Sequence, residues 1–67
     1  MDEKIKELIA IGASVSANCH PCIKFHVNKA RKLNIADQEI QQAIDVGQMI
    51  RSGAAQQMDN FIEEISN

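Results

Sequence analysis

Aromatic side chains are almost missing from this sequence, which has two phenylalanines, Phe25 and Phe61, and neither tryptophan nor tyrosine. Proline occurs once, at Pro21, and glycine three times, so no loop-rich or low-complexity segment interrupts the chain. Cysteine is limited to Cys19 and Cys22. They can form at most one bridge, and its loop is too short to staple a fold. No apolar run approaches the roughly 20 residues needed to span a bilayer. The charged start, Met1-Asp2-Glu3-Lys4, leads into an amphipathic segment and does not read as a signal peptide. No membrane partner and a cytoplasmic location are therefore expected. The net charge is −2, with no basic concentration to track phosphates, so nucleic acid is not an expected partner.

What remains is a chain of 67 residues, 45% of them apolar. That length allows a single domain, residues 1–67. A domain so short buries only about 60% of the surface its unfolded chain exposes. Much of the apolar surface is expected to lie between subunits of a homo-oligomer.

The periodicity is helical throughout. A first helix is predicted from Glu3 to Ala17, capped by Asp2, with Ile5, Leu8, Ile9, Gly12 and Val15 as its buried stripe. Asn18 tolerates the left-handed conformation of a helix end, and Pro21 suits the first turn of a second helix, His20 to Leu33. On that helix Ile23, Val27, Ala30 and Phe25 supply apolar contacts, while Lys24, Lys29, Arg31 and Lys32 read as solvated positions. Asn34-Ile35-Ala36-Asp37 forms a short connection. A third helix starts near Asp37 with the stripe Ile40, Ala43, Ile44, Gly47 and Ile50, and Ser52-Gly53 is a predicted kink or break. Beyond it Met58, Phe61, Ile62 and Ile65 form an apolar face, with Met49 also assigned to packing. The expected fold is all-α, a small antiparallel bundle of three to four helices. The acidic balance argues against reading Ile40 to Ile65 as a DNA-binding helix-turn-helix.

The chemistry is concentrated in Cys19-His20-Pro21-Cys22-Ile23-Lys24-Phe25-His26. On a helix, spacings of three and four point Cys19, Cys22 and His26 from one face. The positive end of the helix stabilises a thiolate, which is the reactive form of cysteine. His26, one turn beyond Cys22, is placed to exchange a proton with it. Folding the first two helices back at Asn18 sets Glu7 roughly opposite residue 29, within a turn of His26, where a carboxylate orients an imidazole. In a reducing compartment such a cysteine pair is catalytic or metal-binding more often than structural. Zinc is the chemical rival, with Cys19, Cys22 and His26 as ligands and Glu7 as a fourth. The blander readings make the thiols inert and buried, His26 an ordinary packed histidine, Glu7 a solvated carboxylate, and His20 a cap or a surface residue.

The pattern of Glu7, then Cys19, Cys22 and His26, resembles the signature of alkylhydroperoxidase D-like proteins in the carboxymuconolactone decarboxylase family. Leu33 to Ile40 and Met49 to Ala55 are similar to that family's second half, so the likeness spans nearly the whole chain. The resemblance implies a helical subunit assembled as trimers or hexamers, with thiol-dependent reduction of a small hydroperoxide or disulfide and no cofactor. By the same resemblance, Cys22 is attacked by peroxide, and Cys19 resolves it to a disulfide and meets a dithiol reductant or redox partner protein. Glu7 and His26 would form the proton relay. Peroxidase members often carry a histidine immediately before the second cysteine; here Pro21 stands there and the histidine lies one place earlier, as His20. Ala36 stands where a capping Ser or Thr is common. Authentic decarboxylases generally lack the paired cysteines, so decarboxylation is not implied.

Overall fold

The computed structural model describes residues 1–66 and contains three helices, with no strand among the described residues. Helix α1 spans Glu3–Ser16, α2 His20–Lys32 and α3 Asp37–Ile65. The Asp2 carboxylate caps α1 by accepting the Lys4 backbone N–H at 2.7 Å. α3 starts without a side-chain cap, and Asp37 and Glu39 in its first turn supply the negative charge that its N-terminus favours.

Two asparagines end the first two helices in the same way. Asn18 (φ 56°) and Asn34 (φ 61°) are the described non-glycine residues with left-handed backbone. Behind each, the chain closes a Schellman motif. After α1 the Asn18 N–H bonds to the Val15 carbonyl and the Cys19 N–H to that of Ser14; after α2 the Asn34 N–H bonds to Arg31 and the Ile35 N–H to Ala30. The residue following each asparagine is thereby aimed back over its helix. At the second corner that residue is Ile35, buried beside Ala30. At the first it is Cys19.

α1 packs against both α2 and α3, which barely touch each other. Ile11, Ala30, Ile35 and Ile40 form the buried core, with Leu8, Ile23, Val27, Leu33, Ala43 and Ile44 packed around it. α1 and α3 cross closely at two glycines, and a Cβ built on Gly47 falls 2.5 Å from the Gly12 carbonyl oxygen.

Three sequence expectations need correction. The buried residues of α1 are Glu7, Ile11 and Ser14, while Ile5 and Ile9 of the predicted stripe are 52% and 55% exposed. α1 has neighbours on two sides only, so the flank carrying Ile5 and Ile9 stays open. Second, no break occurs at Ser52-Gly53: α3 runs continuously. One glycine costs a helix only about 1 kcal/mol, and the following Ala54-Ala55-Gln56-Gln57 are good helix formers. Third, Phe25, Met49, Ile50, Met58, Phe61, Ile62 and Ile65 are exposed and lie outside the core. Phe25 instead sets its ring edge-on to His26, with centroids 5.0 Å apart. The long α3 gives the molecule extents of 52 × 21 × 19 Å.

Candidate active site

Because the Schellman corner hands the chain directly from α1 to α2, Cys19 is both the last residue of that corner and the cap of α2. Pro21 occupies the first turn of α2, and the Ile23 N–H bonds to the Cys19 carbonyl at 3.1 Å. Cys19 and Cys22 are joined by a disulfide across that turn, their Cα atoms 5.2 Å apart. Both residues are half-buried.

One turn further along α2, His26 meets Glu7 of α1. The His26 Nδ1 lies 2.7 Å from Glu7 Oε1, and the carboxylate is buried, with 1% of the residue exposed. A carboxylate is an acceptor only, so Nδ1 carries the proton in this bond. In the neutral ring that leaves Nε2 as the basic nitrogen. The other oxygen of Glu7, Oε2, faces Lys29 Nζ at 3.6 Å, and Lys29 also approaches Glu3 Oε2 at 3.9 Å. The hydrogen bond from His26 holds the Glu7 carboxyl below its ordinary value; the Lys29 charge acts in the same direction, against the opposing effect of burial. Lys29 is therefore a partner of the buried carboxylate, not only part of a solvated helix end. Among the described residues no buried side-chain nitrogen or oxygen lacks a hydrogen-bond partner.

The structure joins His26 to Glu7 across the two helices and Cys19 to Cys22 across the first turn of α2, with His26 four residues beyond Cys22 on the same helix. Both sulfurs are bonded to each other, the Glu7 oxygens face His26 and Lys29, and no group of three His, Cys, Asp or Glu among the described residues is arranged to hold a metal ion.

A cleft of about 230 Å³ opens beside the bridge. Cys19 lines it and Cys22 does not, and exposed His20 stands at its edge. Arg51, on α3, reaches across it and donates from Nη1 to Asn18 Oδ1 at 3.0 Å and to the Val15 carbonyl at 3.4 Å. The sequence reading assigned Arg51 no role. The available signal was its register: it follows Ile40, Ile44 and Gly47 on the inward face of α3, where a cation needs a reason to be.

The sequence profile of the carboxymuconolactone decarboxylase family matches residues 1–62, a span that includes Glu7, Cys19, Cys22, His26 and Arg51. This chain belongs to the carboxymuconolactone decarboxylase family. It is 36% identical over 55 residues to "Uncharacterized protein 4 in cox locus" of Paracoccus denitrificans, an alignment covering 82% of this chain and 50% of that protein. This member of the carboxymuconolactone decarboxylase family therefore spans about half the length of that curated relative. No solved structure matches it. Among the described residues no helix is long and apolar enough to cross a membrane.

Proposed function

We propose that this protein is a cytoplasmic thiol-dependent oxidoreductase that reduces small hydroperoxides through a sulfenic acid and an intramolecular disulfide. The observation that carries the reading is the cysteine bridge on the first turn of α2, with a carboxylate-oriented imidazole on the next turn. In the reduced protein the Cys22 thiolate attacks the outer oxygen of the hydroperoxide. The O–O bond breaks, the alkoxide leaves as alcohol after taking a proton, and Cys22 becomes a sulfenic acid. His26, held by Glu7, is the group that accepts the thiol proton and returns one to the leaving oxygen. The Cys19 thiolate then attacks the Cys22 sulfur, the S–S bond forms, and hydroxide leaves as water. A dithiol reductant restores both thiols and is itself oxidised to a disulfide.

The test is hydroperoxide consumption with a dithiol reductant, for the wild type and for Cys22→Ser. Wild type is expected to turn over and the variant to lose at least 100-fold in rate. Equal rates would end the peroxidase reading. No turnover by either protein, with the bridge still forming and opening as judged by mass spectrometry, would leave thiol-disulfide exchange as the activity. That second reading is favoured by the cleft at Cys19, which gives an external thiol a way in.

A further inference from the structure

The cleft beside the bridge contains a charge that peroxide chemistry does not use. Arg51 rests on two neutral oxygens, those of Asn18 and Val15. No Asp or Glu lines the cleft, and among the described residues neither Nε nor Nη2 of Arg51 has a protein partner. The guanidinium is thus held in place by one nitrogen, with its full charge and two further nitrogens left over. A guanidinium so fixed matches a carboxylate in shape and charge. Cys19 lines the same cleft and Cys22 does not, so Cys19 is the half of the bridge open to it.

We infer that the cleft takes a thiol bearing a carboxylate, the anion on Arg51 and the sulfur on Cys19, and that this is the class of reductant that reopens the bridge. The inference rests on the thiol-disulfide reading above. The entering thiolate attacks the Cys19 sulfur, the bond to Cys22 breaks, and Cys22 leaves as a thiolate that takes up a proton. A second thiolate attacks the entering sulfur of the mixed disulfide and releases Cys19, which is protonated in turn. Two small thiols are oxidised to one disulfide, and the protein gains two electrons and two protons.

The experiment follows reduction of the oxidised protein by 3-mercaptopropionate, 2-mercaptoethanol and cysteamine, with rates corrected for thiolate fraction and intrinsic nucleophilicity. Although the whole chain carries a charge of −2, the anionic thiol is expected to react roughly five-fold faster than the neutral one at low salt, and the cationic thiol more slowly. The preference should fade as salt is added, vanish in Arg51→Gln and survive in part in Arg51→Lys. If Arg51 only braced the Asn18 corner, Arg51→Gln would change the three rates by one common factor, and that result would overturn the inference. So would equal corrected rates in the wild type. No reduction by any of the three would overturn the thiol-exchange reading and this inference with it.

A second observation stands apart from the site. The inward face of α3, Ile40, Ile44 and Gly47, continues past Arg51 as Ala54, Met58, Phe61, Ile62 and Ile65, on a stretch where every described residue is exposed. Beside α1 lies an open apolar groove of about 610 Å³ whose walls include Ile5, Ile9, Val46 and Ile50. Ala54 to Ile65 and Ile5 to Ser16 each span about 17 Å at the helical rise, so stripe and groove match in length. The stripe is flanked by Asp59 and Glu64; Lys4 and Lys6 adjoin Ile5 in sequence at one end of the groove, and Glu39 is the charged residue that lines it. We propose that a second copy of this chain lays its α3 arm in the groove, with the exchange made reciprocally. Light scattering across a concentration series is expected to give a multiple of the chain mass. Phe61→Asp and Ile9→Asp should each lower that mass while circular dichroism still reports helix, and Asn60→Asp should leave it unchanged. A monomeric wild type, or an unchanged assembly in both apolar variants, would overturn the arrangement.

Discussion

Replacing Glu7 with alanine is expected to lower stability by about 2–3 kcal/mol and to move the thermal midpoint down by roughly 4–8 °C per kcal/mol. The carboxylate is buried, donates nothing, and satisfies two neighbours from α2: His26 at 2.7 Å and Lys29 at 3.6 Å. Removing it leaves a hole between α1 and α2 and takes the acceptor from both partners. Because His26 and Lys29 keep access to water, the loss falls below that of a fully enclosed ion pair. Glu7→Gln tests the site separately from the fold. The amide keeps the volume and can accept the His26 N–H, but it brings no charge to stabilise a protonated ring, so turnover is expected to drop by about 100-fold with little loss of helix. The pH dependence has a definite sign. The Glu7 carboxyl is held below its ordinary value in the folded state, so the folded protein binds fewer protons there than the unfolded chain. Its contribution is present above the unfolded value of 4.5 and is lost as pH falls through the lower, folded value. Denaturant melts at fixed protein concentration should therefore show the wild type and Glu7→Gln converging in acid. Curves that stay parallel down to about pH 3 would show that the carboxylate is not held by charge.

Gly47→Ala is expected to destabilise by about 2 kcal/mol, although alanine favours a helix by up to about 1 kcal/mol over glycine. The added Cβ falls 2.5 Å from the Gly12 carbonyl oxygen and 2.7 Å from the Val15 Cβ. The first obstacle is backbone and the second is the root of a β-branched side chain, so neither can swing aside. α1 and α3 must separate, and the core around Ile11 and Ile40 loosens with them. Gly53→Ala makes the same chemical change six residues later, with nothing within 4 Å of the new atom. There the helix propensity acts alone, and the variant should gain about 0.5–1 kcal/mol. Chemical denaturation of the pair at equal protein concentration measures both. A neutral Gly47→Ala would mean that the two helices do not cross this closely in solution.

These two glycines and Glu7 also mark the boundary between what the residue pattern and the packed chain each reveal. The all-α class, the starts of all three helices, the Asp2 cap and the left-handed Asn18 follow from local rules, because each depends on a few residues' own backbone preferences. The spacing of Cys22 and His26, one turn apart, is equally local, being fixed by the pitch of α2, whereas Cys19 is its extended cap and is placed by the Asn18 corner. Glu7 was within reach as well, since one sharp corner determines which residues of α1 and α2 face each other. Asn34 repeats the corner of Asn18 by the same local rule, within the connection Asn34-Ile35-Ala36-Asp37.

Other features exist only because distant segments meet. Which face of α1 is buried depends on where α2 and α3 pack, so the apolar Ile5 and Ile9 lie open while the charged Glu7 is enclosed. Gly53 reads locally as a break, yet nothing in the backbone forbids a helix there, and α3 runs through it. Arg51 comes to Cys19 only when α3 crosses the end of α1, 33 residues in sequence from its hydrogen-bond partner Asn18. Spacing along one helix specifies direction about its axis, whereas burial and charge pairing are properties of two surfaces in contact, and a single segment's pattern holds only one of them.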